Sequence, residues 1–276
     1  MLRALVLVCA GCYAPTIHPG APCGDNGACP RELACSSLTN TCEPRSNGSS
    51  DATADTYAGT ILADHPVGYW RLGESMGLVA HDASGQGFDG TYEGGVTLGV
   101  PGAIANDPDT AVTLDGSTGF VRIPNAPVLD ALTSGAVSAE GWVHGGIKNG
   151  DSEIWSAWNG GGTGYQLIYN NGVAGAWSGN GIVNSPLAIT DDNWHHVVGV
   201  WDNGVGHIYV DGVLEASGTC KPSAATLDNQ IGTQCKSAGS TQCNDFRTGG
   251  VDEVAVYDYA LTATAIAAHY QAGLGR

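Results

Sequence analysis

His195 and His196 stand side by side in "DDNWHHVVGVWDNGVGHIYVDGV", residues 191 to 213. Two imidazoles could ligate a metal or relay protons, and both tasks require the rings to converge on one atom. Carboxylates offer the other route to chemistry: Asp151 and Glu153 in "DSEIW", Asp252 and Glu253 in "VDEV", and Glu140 alone in "SAEGW". Hydrolysis of a glycosidic bond needs two carboxyls about 5 to 9.5 Å apart. No His-Glu-x-x-His pair and no Gly-x-x-x-x-Gly-Lys phosphate loop occurs in the chain.

The answer depends on the elements that carry these residues. Glycine is abundant, at 42 residues, and falls between short apolar runs, which points to strands joined by tight turns. In "NWHHVVGVWD", period-two alternation places Trp194, His196, Val198 and Val200 on one face and His195, Val197, Gly199 and Trp201 on the other. Both faces are apolar, as in a strand buried within a two-layer sandwich. Neighbouring imidazoles therefore point apart and cannot share one metal. Turns at Asp202-Asn203-Gly204 and Asp211-Gly212 bracket a returning arm, "GHIYVDGV".

The same reading gives strands in "VGYWRLGE", "TAVTLDGSTGFVRIP", "VSAEGWVH", "EIWSAWN", "YQLIYNNG" and "VAGAWSGN", a spacing that fits a sandwich or jelly roll. In the first, Trp70 and Leu72 share a face, with Tyr69 and Arg71 opposite; "VDEV" likewise sends Asp252 and Glu253 opposite ways. The last segment, "GGVDEVAVYDYALTATAIAAHYQAG", gives a strand and then one short helix. Thr262 is its N-cap, Leu261 staples to Ile266, Ile266 and Tyr270 form its buried stripe, and Gly273 ends it.

Residues 1–11 hold one positive charge and an apolar run from Ala4 to Val8, which reads as an export signal. That run is far shorter than the about 20 residues a spanning helix needs. Cys9-Ala10-Gly11-Cys12 resembles the lipobox of bacterial lipoproteins, with Cys9 where leucine is usual. The resemblance implies an acylated Cys12 and a protein lipid-anchored at the bacterial cell envelope, at the outer membrane or cell surface.

Cys23, Cys29, Cys35 and Cys42 crowd residues 12–44, a segment too short for a core of its own, so two disulfides are expected in any of three pairings. Intervals of five, five and six residues lack the C-x-x-C knuckles of a zinc site. A polar linker, 45–56, separates this module from a main domain over 57–276. There Cys220, Cys235 and Cys243 predict one local disulfide pinning a loop, the third thiol staying free or pairing elsewhere. Ten basic against 27 acidic residues, net charge -17, exclude nucleic acid as a natural partner.

"YWRLGE", "HDASGQGFDGTY", "PGA", "AVTLDGSTGFVRIP", "SAEGWV", "NWHHVVGVWDNGVGHIYVDG" and "VDEVAVYDYALTATAIAAHY" occur in that order. Together they resemble the LamG-like jelly-roll domains of the concanavalin A-like lectin/glucanase superfamily. The resemblance implies an all-β fold: two curved antiparallel sheets stacked face to face, first and last strands adjacent, and a short C-terminal helix. It also implies one structural calcium ion near the meeting chain ends, with Asp82, Asp252 and Glu74 as candidate ligands. Calcium takes six to eight oxygens, so distant segments must assemble such a site.

Glucan-cleaving members of that superfamily carry a strand with acids at Glu-x-Asp-x-x-Glu, and no such strand is present. The expectation is a non-catalytic surface module that binds a carbohydrate, an extracellular or cell-envelope glycan. Trp155, Trp158 and Trp177 are the candidate platform, since sugar faces stack on exposed aromatic rings. A module binding a surface protein is the alternative, and a glycoside hydrolase with an unrecognised site is the third reading.

Overall fold

Each apolar run read above as a strand of the main domain becomes one. The computed structural model describes residues 21–23, 33–35, 41–44, 56–126, 128–129, 135–146, 150–158, 162–223, 225–236, 239–240 and 242–276. The expected leader, Cys12, Cys29 and all of the expected linker except Thr56 lie outside these residues. The chain divides into two compact units, Met1–Arg45 and Ser46–Arg276.

In the first unit, β1 (Ala21–Pro22), β2 (Leu33–Cys35) and β3 (Thr41–Pro44) form an antiparallel sheet in the order β1-β3-β2. The backbones of Cys35 and Cys42 are opposite each other, and Cys23 and Cys42 are both disulfide-bonded.

The second unit begins with a helix that the sequence reading missed, α1 (Tyr57–Ala63), capped by Thr56, whose hydroxyl accepts from Gly59 N at 3.1 Å. The strands that follow are β4 (Gly68–Trp70), β5 (Val79–Ala80), β6 (Gly90–Glu93), β7 (Val96–Pro101), β8 (Thr110–Asp115), β9 (Phe120–Ile123), β10 (Val137–His144) and β11 (Asp151–Trp158). Next come β12 (Gly164–Asn170), β13 (Val173–Ser178), β14 (Gly181–Ala188), β15 (Trp194–Asp202), β16 (Val205–Val210), β17 (Val213–Thr219) and β18 (Asn229–Ile231). The chain closes with a small hairpin, β19 (Gln234–Cys235) and β20 (Cys243–Asn244), the long β21 (Thr248–Tyr257) and helix α2 (Ala263–Gly273).

Two antiparallel eight-stranded sheets make the sandwich. The first runs β17-β16-β15-β10-β21-β8-β7 with β4 also on β21, and the second runs β14-β13-β12-β11-β18-β9-β6-β5. Pairing of β4 with β21 puts the first and last strands of the domain side by side, as in a jelly roll. Asn203-Gly204 and Asp211-Gly212 close their hairpins with positive φ at both residues, 50° and 82°, then 52° and 77°. This is the geometry that right-twisted two-residue hairpins favour.

Inward residues of both sheets form the main core, in which Trp70 and Trp155 stack with ring centroids 5.5 Å apart. The other face of the first sheet lies under α1 and α2, where Tyr57, Ile61, Trp142, Val198, Tyr257 and Ile266 make a second core. Hence β15 is buried on both sides. His196 faces the helices and reaches Glu140 at 2.8 Å; His195 lies between Asp211 and Asp191, at 2.8 and 2.7 Å. The adjacent imidazoles share no ligand atom. In α2 the Thr262 cap holds, but the buried stripe is Ile266, His269 and Gly273, with Tyr270 only half-buried. The residue anticipated as apolar is replaced there by a histidine bound to buried Glu140.

Candidate functional site

On the second sheet, residues that alternate with the core residues point away from the sandwich. Cross-strand pairing lines up Arg122, Gln230, Ser156, Gln166, Trp177 and Ile182 in one row across β9, β18, β11, β12, β13 and β14. Trp158, two residues beyond Ser156, lies on the same face with Gly164 as its cross-strand partner, so no side chain stands beside its ring on β12. Trp158 and Trp177 are both half-buried, leaving ring surface open to solvent.

Trp155 does not belong to this platform. A bulge in β11 between Glu153 and Trp155 shifts the register, and Trp155 turns inward to full burial against Trp70.

The middle of the row is polar and tied to the β19-β20 hairpin. Gln166 Nε2 donates to Ser156 Oγ at 3.0 Å and to Gln234 Oε1 at 2.9 Å, and Gln234 Nε2 donates to the Asp245 carboxylate. The Cys235–Cys243 disulfide closes the hairpin. Cys220, grouped with these two as a disulfide candidate, is instead a free thiol buried between the sheets, 3.3 Å from Ser178 Oγ; burial pushes its pKa up. At the end of the row Arg122 binds Glu93 at 2.6 Å and donates to Ser240 O at 2.8 Å. Gln166, Gln230, Gln234 and Asp245 escaped sequence reasoning. The one available signal was Gln166, a polar residue inside the apolar run "YQLIY".

Asp151 and Glu153 are on this same outward face. Glu153 N donates to Asp245 O at 3.2 Å, so a third acid, far along the chain, approaches the "DSEIW" pair. Glu153 is only 1% exposed, which withdraws its carboxyl from any substrate arriving through solvent.

The calcium candidates are arranged differently from the expectation. Asp82 accepts from the backbone N–H groups of Tyr69, Ser84 and Phe88 at 2.9 to 3.0 Å, the pattern of a turn-building aspartate. Glu74 accepts from His81 N and the Tyr92 hydroxyl, at 2.9 and 2.6 Å. Asp252 Oδ2 accepts from Ala103 N at 2.8 Å, while its Oδ1 is buried without a partner. Among the described residues no three His, Cys, Asp or Glu side chains are grouped to hold one ion, so Asp82, Asp252 and Glu74 do not form a triad.

Asp252 and Glu253 are also not the independent, opposed pair that strict alternation implies. Glu253 has a φ of 53° at a break in the β10-β21 register. Its carboxylate meets the Tyr69 hydroxyl and Arg71, and Arg71 lies 2.9 Å from both Asp107 and Asp109. Burial, then Glu253, pushes the Asp252 carboxyl well above its usual range; burial takes Glu253 up to about 7 against the pull of Arg71.

A sequence search of curated proteins gives no match. Solved structures with a similar fold include the binding domain of botulinum neurotoxin DC in complex with SialylT, with TM-score 0.56 and 13% identity over 77% of this chain and 52% of that one. The binding domain of Paraclostridial Mosquitocidal Protein 1 gives 0.59 and 13% over 76% and 52%. The botulinum neurotoxin DC domain in complex with rat synaptotagmin II gives 0.57 and 13% over 77% and 52%. This chain thus spans about half the length of the chains it resembles, and the likeness is one of fold. The family model described as the concanavalin A-like lectin/glucanases superfamily matches residues 115–267, most of the two-sheet domain. With that match spanning more than half of its length, the chain belongs to the concanavalin A-like lectin/glucanases superfamily.

Proposed function

We propose that the protein is a non-catalytic carbohydrate-binding module displayed at the bacterial cell envelope. One observation carries the reading: Trp158 and Trp177 present partly open rings on one outward face. Buried Gln166 holds the half-buried Gln234 in place, so this side chain of the hairpin is ordered before ligand arrives. The decisive experiment is a glycan array on wild type, Trp158→Ala and Trp177→Ala, with and without chelator. Glycan binding that is lost in both variants supports the proposal, and its absence from wild type removes it.

A surface protein is the second ligand class. Ile182 and Leu187 on β14 and Val213 and Leu214 on β17 are exposed, at 42 to 59%, and these two strands pack against each other. The similar folds solved with SialylT and with synaptotagmin II are compatible with either class.

Two further parts belong to the proposal. One structural calcium ion would sit at Asp252, whose unpartnered Oδ1 suits a hard cation, within the acidic surroundings that Glu74 and Asp109 share at the Tyr92 hydroxyl. Arg71 already supplies positive charge nearby, so carbonyls and water must complete that ion's shell. Cys12 would carry the lipid anchor; mass spectrometry of the membrane-extracted protein would find a diacylated N-terminal cysteine, and Cys12→Ser would release it.

A further inference from the structure

Away from Asp252, acidic groups gather where the β19-β20 hairpin meets the start of β11. Asp245 comes alongside Glu153 through the Glu153 N to Asp245 O hydrogen bond, and Asp151 lies two residues from Glu153 on the same face. None of the three forms an ion pair with Lys, Arg or His among the described residues. Two oxygens here are conspicuous. Glu153 Oε2 is buried without a hydrogen-bond partner, and Asn244 Oδ1, on the residue preceding Asp245, is buried without one too.

Leaving a buried carboxylate oxygen charged and without a partner is strongly unfavourable. When Glu153 is ionised, its oxygen and the Asn244 side-chain oxygen both only accept, so neither can satisfy the other. A positive group from outside the chain would satisfy both while leaving the carboxylate charged. Oxygen donors alone, without nitrogen or sulfur, suit a hard divalent cation.

We propose that Glu153, Asp245 and the Asn244 side-chain oxygen hold a divalent cation of the calcium type, with water filling its remaining positions. The ion would clamp the disulfide-closed hairpin to β11. The inference rests on the orphaned oxygens and is independent of the glycan reading and of the calcium proposed at Asp252.

The test separates the two calcium sites. Protein stripped with chelator and dialysed is titrated with calcium chloride by calorimetry, in wild type, Asp252→Asn, and Asp252→Asn combined with Glu153→Gln. We expect Asp252→Asn to bind one equivalent still and the double variant to lose it or to weaken at least tenfold. Calcium should also raise the melting temperature of Asp252→Asn but not of the double variant. Should the double variant misfold, Asn244→Ala in the Asp252→Asn background replaces it, with the same loss expected. The proposal falls if Asp252→Asn binds no calcium, or if removing Glu153 or Asn244 leaves its titration unchanged. Failure of the glycan array would leave these outcomes untouched.

Discussion

The carboxylate of Glu140 lies 3.1 Å from His269 Nδ1, and the opposite nitrogen of that ring is 3.0 Å from Asp64. With His196 at 2.8 Å on its other side and the Tyr257 hydroxyl bonded to it, Glu140 joins β10, β15, β21 and α2 in one buried network. Asp64 caps the C-terminus of α1, so both helices are tied to the sheet through His269.

This network predicts a characteristic pH dependence. Burial opposes both charges, yet attraction to its carboxylate partners raises the pKa of His269, and its imidazole neighbours lower that of Glu140. The histidine's contribution is complete below its unfolded pKa of about 6.5 and is lost as pH rises through the raised folded value. The Glu140 contribution is present above about 4.3 and disappears only in strong acid. Urea melts should show His269→Ala reducing the alkaline decline, with the His195 part remaining, while Glu140→Ala costs about 3–5 kcal/mol near pH 6 by stranding buried partners. A loss under 1 kcal/mol would mean that the network stabilises little.

His195 is expected to stay protonated well into the alkaline range. Its hydrogen bond to Asp211, opposed by burial and reinforced by Asp191, pushes its pKa up to about 9. Stability from this pair is full below about 6.5 and falls as pH approaches 9. Titration of the ring resonances by NMR checks the value, and Asp211→Asn should move it down.

The three tryptophans should separate into two behaviours. Trp155→Ala removes a fully buried ring stacked on Trp70 and should cost about 3–5 kcal/mol in denaturant melts. Trp158→Ala and Trp177→Ala should leave the midpoint close to wild type and act on ligand binding instead. A large stability loss from either would reassign it to the core.

Opening the Cys235–Cys243 bond, with its sequence separation of 8, should cost about 2–3 kcal/mol from loop closure alone. Reduction should also loosen Gln234 from Gln166. Amide exchange across β12 before and after reduction would report that release.

The strands were legible as short apolar runs closed by turn residues, nearly continuous in β15 because it is buried on both faces, and the pleat's period of two then sends its adjacent histidines apart. Alternation failed wherever a bulge breaks the period. Trp155 and Glu253 both follow such breaks, and a residue count carries no mark of them. Helix α1 was missed because seven residues with no acid in the first turn give little periodic signal beyond the Thr56 cap. The outward row was half legible: Trp158 and Trp177 could be named, whereas Asp245 joins Glu153 only through tertiary folding across some ninety positions.

The pairing of β21 with β4, β8 and β10 also constrains when this domain can form. A growing polypeptide that has not yet delivered residues 248–257 lacks the central rung of its first sheet, so β4 and β8 have nothing to join them to β10. Such contacts between distant positions delay closure. The two-sheet domain should therefore remain open during synthesis until residues 248–257 have emerged, and then close in one late step.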